Sequence, residues 1–129
     1  MKRQFLAIAL TVLATACATA KESGIRDPER FRAIAEQTSL TSKSAPESVA
    51  RCFEDKAVLL PMTSFNTDQA TGTTTYRLRG YGYTFEEIDF VVNQDGGSSI
   101  TIFLAPGVNA KWRRDFEAGR LAVLRSCAA

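Results

Sequence analysis

The chain has 129 residues, 45% of them hydrophobic and 23% charged, a composition that suits one folded domain and excludes a disordered or fibrous chain. It contains no histidine, which removes the usual near-neutral general base and the commonest metal ligand. The formal charge of +2 includes Lys2 and Arg3 of a segment expected to be removed; the remainder carries 14 basic against 14 acidic side chains, no footprint for nucleic acid.

Met1–Ala16 opens on Lys2-Arg3, continues through the apolar run Phe5–Leu13 and ends on small residues, the pattern of an export signal peptide. The run is shorter than the roughly 20 apolar residues a bilayer span needs. Leu13-Ala14-Thr15-Ala16-Cys17 resembles the lipobox of bacterial lipoprotein precursors, with Ala14 where leucine is commoner. The resemblance covers the first 17 residues only. It implies acylation of Cys17, which becomes the new N-terminus. In a cell with two membranes, Ala18 in place of a retention aspartate extends the implication to an outer-membrane anchor facing the periplasm. The alternative is ordinary cleavage after Ala16 or Ala20, giving a soluble periplasmic or secreted chain. Cysteine arithmetic favours acylation: of three cysteines, none in a CxxC pair, modifying Cys17 leaves Cys52 and Cys127 to join each other.

Residues 17–26 read as a tether without periodicity, and 27–129 as a single α+β domain. Asp27-Pro28-Glu29 predicts a helix start, with Phe31, Ile34, Ala35 and Thr38 on one stripe. Thr38–Lys43 reads as a polar loop. Ser44-Ala45-Pro46-Glu47 has capping-box spacing and opens a second helix to about Asp55, which turns Cys52 inward. Ala57–Phe65 is apolar enough for a strand, and Pro61 assigns it to a sheet edge.

Three further strands follow, at Thr71–Arg79, Thr84–Val92 and Ser98–Leu104. Thr84–Val92 is central, with Glu86, Ile88, Phe90 and Val92 on the mainly apolar face. A turn centred near Tyr83 pairs Leu78 with Ile88, Tyr76 with Phe90, Arg77 with Asp89 and Arg79 with Glu87. A turn at Gly96 sets Ile100, Ile102 and Leu104 opposite Val92, Phe90 and Ile88. Asn109 caps a last helix whose apolar stripe is Trp112, Phe116, Gly119, Val123 and Cys127, with Leu121 outside it. The expected fold is therefore two helices, a four-stranded antiparallel sheet and a C-terminal helix, all helices on one sheet face.

Glu86, Glu87 and Asp89 form the densest carboxylate group. Glu87 and Asp89 read as a solvated ion-pair ladder with Arg77 and Arg79; the alternative for the three carboxylates is a hydrolase centre. Gly80-Tyr81-Gly82-Tyr83 reads either as stiff, half-polar contact area on a glycine turn or as a wide hairpin loop whose tyrosines fold over the sheet edge. Phe103, an apolar residue on the polar sheet face, either seeds a contact patch with Val91 or lies under the N-terminal helix. Arg113, Arg114, Arg120 and Arg125, diluted by Asp115 and Glu117, read as a solvated helix face. No cofactor or metal is expected, since phosphate-loop, dinucleotide and nucleophile spacings are absent. The expectation is a non-enzymatic envelope lipoprotein working through contacts with an unidentified envelope protein, with Tyr81, Tyr83 and Phe103 as contact candidates. A small-ligand module with a pocket between sheet and helices is the alternative.

Overall fold

Asp27 and Pro28 start the first helix as their spacing predicts. In the computed structural model, which describes residues 24–129, the Asp27 carboxylate accepts the Glu29 N–H at 3.1 Å, and α1 runs Pro28–Ile34. The expected signal segment, Cys17 and the tether up to residue 23 lie outside the described residues. The tether's last residues are docked. Ile25 exchanges two backbone hydrogen bonds with Thr84, 3.0 and 2.8 Å long. Gly24 must be a glycine there, because a Cβ would stand 2.8 Å from Tyr83 Cβ and Phe85 Cε1.

The sheet has five antiparallel strands where four were expected. β1 (Glu36–Ser42), β2 (Thr63–Asp68), β3 (Thr73–Gly80), β4 (Tyr83–Val92) and β5 (Ser98–Leu104) lie in the order β1-β5-β4-β3-β2. The additional strand, β1, occupies what reads as a helix end and polar loop. Leu40 is its single large apolar residue, so alternation cannot reveal it; pairing along all of β5 decides its conformation. Helix α2 (Pro46–Lys56) begins from Ala45, and Ser44 does not cap it. Instead the Ser44 carbonyl accepts the Ser98 hydroxyl at 2.6 Å, tying the helix entry to β5. Ala57–Leu60 is not strand; β2 starts two residues beyond Pro61 and takes the expected edge position.

Both hairpins sit two residues from the expected register. Tyr76 faces Ile88, Arg77 faces Glu87 and Thr75 faces Asp89, while Ile102 faces Ile88 and Ile100 faces Phe90. The cause at β3–β4 is a tight turn of only Tyr81 and Gly82, with φ of +54° and +81°, in place of a wide loop. A bulge then leaves Phe85 out of the β3 ladder. A shift of two preserves the faces, so the apolar set Tyr76, Leu78, Ile88, Phe90, Ile100, Ile102 and Leu104 is buried together as expected.

Against that face pack α2, through Val49, Ala50 and Phe53, and the C-terminal helix; Phe53 meets Tyr76 edge-on at 5.2 Å. Helix α1 is the exception to the expected arrangement. It lies on the opposite face, with Phe31 buried against Phe103 at 6.4 Å between ring centres. The polar face therefore has a small core of its own. Phe103 is covered by the N-terminal helix, which removes it from the candidate contact surface.

The C-terminal helix is one rod in three parts: α3 (Ala110–Phe116), a π turn (Glu117–Leu121) and α4 (Ala122–Ala128). Asn109 caps it by accepting the Trp112 N–H at 2.8 Å. One extra residue in the π turn rotates everything beyond it by about 100°. Arg120, Leu121, Leu124 and Ala128 are buried as a result, whereas Leu121 was expected outside the stripe and Arg120 on a solvated face. The expected Cys52–Cys127 disulfide is present and joins α2 to α4.

Candidate functional site

The largest departure from the sequence reading is in the core. Glu86 stands in the apolar register of β4 and is completely buried, and Arg120 comes down on it from the π turn with 2% exposure. Arg120 Nε donates to Glu86 Oε1 at 2.6 Å and Nη2 to Oε2 at 2.5 Å, while Nη1 donates to the Val58 carbonyl at 3.2 Å. The Tyr76 hydroxyl donates to Oε1 at 3.1 Å and the Trp112 indole N–H to Oε2 at 2.9 Å. Each carboxylate oxygen thus accepts two hydrogen bonds from the protein, which compensates the cost of taking a charge out of water. Burial pushes Arg120 down, but the hydrogen bonds and charge of Glu86 outweigh it and the guanidinium ends above its ordinary value. Residues on both sides of the centre are special. Phe85, the bulged residue, stacks on Trp112 at 4.8 Å; Gly119, inside the π turn, accepts the Val58 N–H at 2.9 Å.

Burial, reinforced by the Glu86 charge, raises the Tyr76 phenol far above the usual tyrosine range. The unfolded chain releases this proton near pH 10 and the folded one retains it, so the folded state binds more protons and stability falls as pH rises above about 10. Urea unfolding between pH 9 and 11 should show a decline approaching 1.4 kcal/mol per pH unit. Tyr76→Phe should remove that part of the slope, and an unchanged slope in the variant would assign it elsewhere.

Over this centre lies a cleft of about 450 Å³, walled by Val58, Leu60, Trp112, Ala118 and Gly119 with Arg120 at its floor. Its rim carries the Lys111–Asp115 pair, in which the lysine hydrogen bond holds the Asp115 carboxyl below its usual value.

On the opposite face the expected ladder is replaced by an interlocked cluster. Arg77 donates to Glu87 at 2.9 Å, and Arg32 of α1 donates both to Glu87 at 2.9 Å and, through two nitrogens, to Asp89 at 2.6 and 2.9 Å. Arg32 also lies 4.7 Å from the Phe103 ring centre. The hydrogen bonds to Asp89, partly offset by burial, raise the Arg32 guanidinium above its ordinary value. Glu87 is therefore buried, not solvated. Arg79 instead points at the carbonyls of Arg26 and Gly82, both 3.4 Å away. The three carboxylates are separated between two sheet faces: Glu86 serves one centre, and Glu87 with Asp89 the other.

The two tyrosines of the hairpin tip have different fates. Tyr83 is half-buried, its ring under the Arg26 guanidinium at 5.2 Å and its hydroxyl accepting from Arg26 at 3.4 Å. Tyr81 is 92% exposed and is the one non-glycine among the described residues with a positive φ. A left-handed tyrosine costs roughly 1–2 kcal/mol, where asparagine or glycine sits at ease. Tyr81→Asn should leave the fold intact and raise its stability by up to about 1 kcal/mol; a clear loss in urea unfolding would mean that Tyr81 supports the hairpin.

Among the described residues, no group of histidine, cysteine, aspartate and glutamate side chains could hold a metal ion, and no helix is long and apolar enough to cross a membrane. Comparison with protein-family models matches none of them, and comparison with curated proteins returns no significant similarity.

Proposed function

We propose that this is a lipid-anchored protein of the cell envelope, held in the outer membrane and facing the periplasm, which works by contact and not by catalysis. The observation that carries the reading is the Cys52–Cys127 bridge. It uses two of the three cysteines and is stable in an oxidising compartment, so the third, Cys17 at the end of the lipobox-like stretch, is left for the anchor. The carboxylates argue in the same direction. Glu86, Glu87 and Asp89 are all occupied by arginine, which supports packing roles over acid–base chemistry. Tyr81 supports contact as the mode of action, because a strained, exposed aromatic residue at a tight tip contributes nothing to the core. The cleft above Arg120 favours a second reading, the binding of a small apolar ligand against Trp112.

Mass analysis of the mature protein from native envelopes tests the first reading. It should find Cys17 as an acylated N-terminus, and Cys17→Ala should move the protein to the soluble fraction. A soluble wild-type product without acyl chains overturns the proposal.

A further inference from the structure

We infer that the end of the domain where the tether joins is itself a membrane-contacting surface, with Tyr81 seated among phospholipid headgroups and Arg26 and Arg79 on lipid phosphates. The inference rests on the anchored reading above and names what the hairpin tip touches.

Four observations converge on that end. The first is chain length. Cys17 is seven residues from Gly24, and a fully extended chain spans at most about 3.6 Å per residue, so an anchor at Cys17 holds Gly24 within about 25 Å of the bilayer. The second is where the chain then goes: Gly24 packs on Tyr83 and Phe85, and Ile25 pairs with Thr84, at the base of the hairpin tip. The tip is thereby fixed beside the tether. The third is the tip's chemistry. Tyr81 projects into solvent, and Met62, itself exposed, lies against Gly80 beneath it. Tyrosine is enriched where a bilayer meets water, since its ring suits the headgroup layer and its hydroxyl stays wet. The fourth is charge. Arg26 and Arg79 flank the tip, and among the described residues neither is paired with a carboxylate. Arg79 spends its contacts on the Arg26 and Gly82 carbonyls, which hold it at the tip, and guanidinium is the side chain best matched to phosphate. The opposite end of the sheet, the Asn93–Gly97 turn, carries Asp95 and neither an aromatic residue nor an arginine.

The test places a photoreactive benzoylphenylalanine at residue 81, and in a separate chain at exposed Gln94 of the opposite turn, in the full-length protein in native envelopes. Irradiation is followed by mass analysis of the adducts and of the peptide bearing Cys17. Phospholipid adducts should form at residue 81 at least fivefold above residue 94, and R26Q/R79Q should lower their yield about fivefold or more. A protein adduct at residue 81, or equal lipid labelling at both positions, overturns the inference while an acylated Cys17 leaves the anchored reading standing. An unacylated Cys17 overturns the anchored reading and this inference together.

Discussion

Arg120→Met should cost the domain about 3–5 kcal/mol, because it strips the paired guanidinium from a carboxylate that has no exposure to water. Glu86 would retain Tyr76 and Trp112 as donors, which cannot neutralise it. A folded domain of this size has only about 5–15 kcal/mol in hand, so the variant should unfold at much lower urea or fail to accumulate. The companion variant E86Q/R120M separates the two contributions to that loss. Removing the charge together with its partner should recover at least half of the deficit, since a neutral amide can accept from the Trp112 indole through its oxygen and donate to the Tyr76 hydroxyl through its nitrogen. Equal losses in single and double variants would show that lost packing of the arginine stem, and not the stranded charge, dominates. A single-variant loss below about 1 kcal/mol would mean that water reaches Glu86.

The disulfide should contribute comparably by a different route. It joins residues 75 apart in sequence, and in the chain-entropy model closing a loop of that length disfavours the unfolded state by about 4–5 kcal/mol. Cys52→Ala/Cys127→Ala should lose close to that amount in urea unfolding. Reduction of the wild-type protein should reproduce it without altering contacts elsewhere. A loss under about 1 kcal/mol would show that the reduced, unfolded chain is already compact.

What the sequence made legible follows from periodicity. Ile88, Phe90, Ile100 and Ile102 alternate cleanly, so their common face was readable even though the register was displaced by two. The displacement arose because Gly80-Tyr81-Gly82-Tyr83 permits either a wide loop or a tight turn, and nothing local reveals the bulge at Phe85. β1 was unreadable for want of apolar residues; its stability comes from β5, far along the chain. The Glu86–Arg120 centre left half a trace. A carboxylate in the apolar register of a central strand is a warning that a cation must be buried with it. Its partner was hidden, because a regular helix places Arg120 on the wet side and only the π turn brings it round. The cysteine pairing was legible from their number and from the places of Cys52 and Cys127 on the apolar sides of two helices.

The position of Cys52 also divides the domain mechanically. The covalent loop closed by Cys52 and Cys127 encloses β2 through β5, and it excludes α1 and β1, which precede it. Tension applied from the N-terminal side would first load the two hydrogen bonds of Ile25 with Thr84, then the arginine clamp of α1, then β1 at the sheet edge. Extension would stop at Cys52. A molecule pulled from its N-terminal side should therefore yield in an initial step that spares the looped strands.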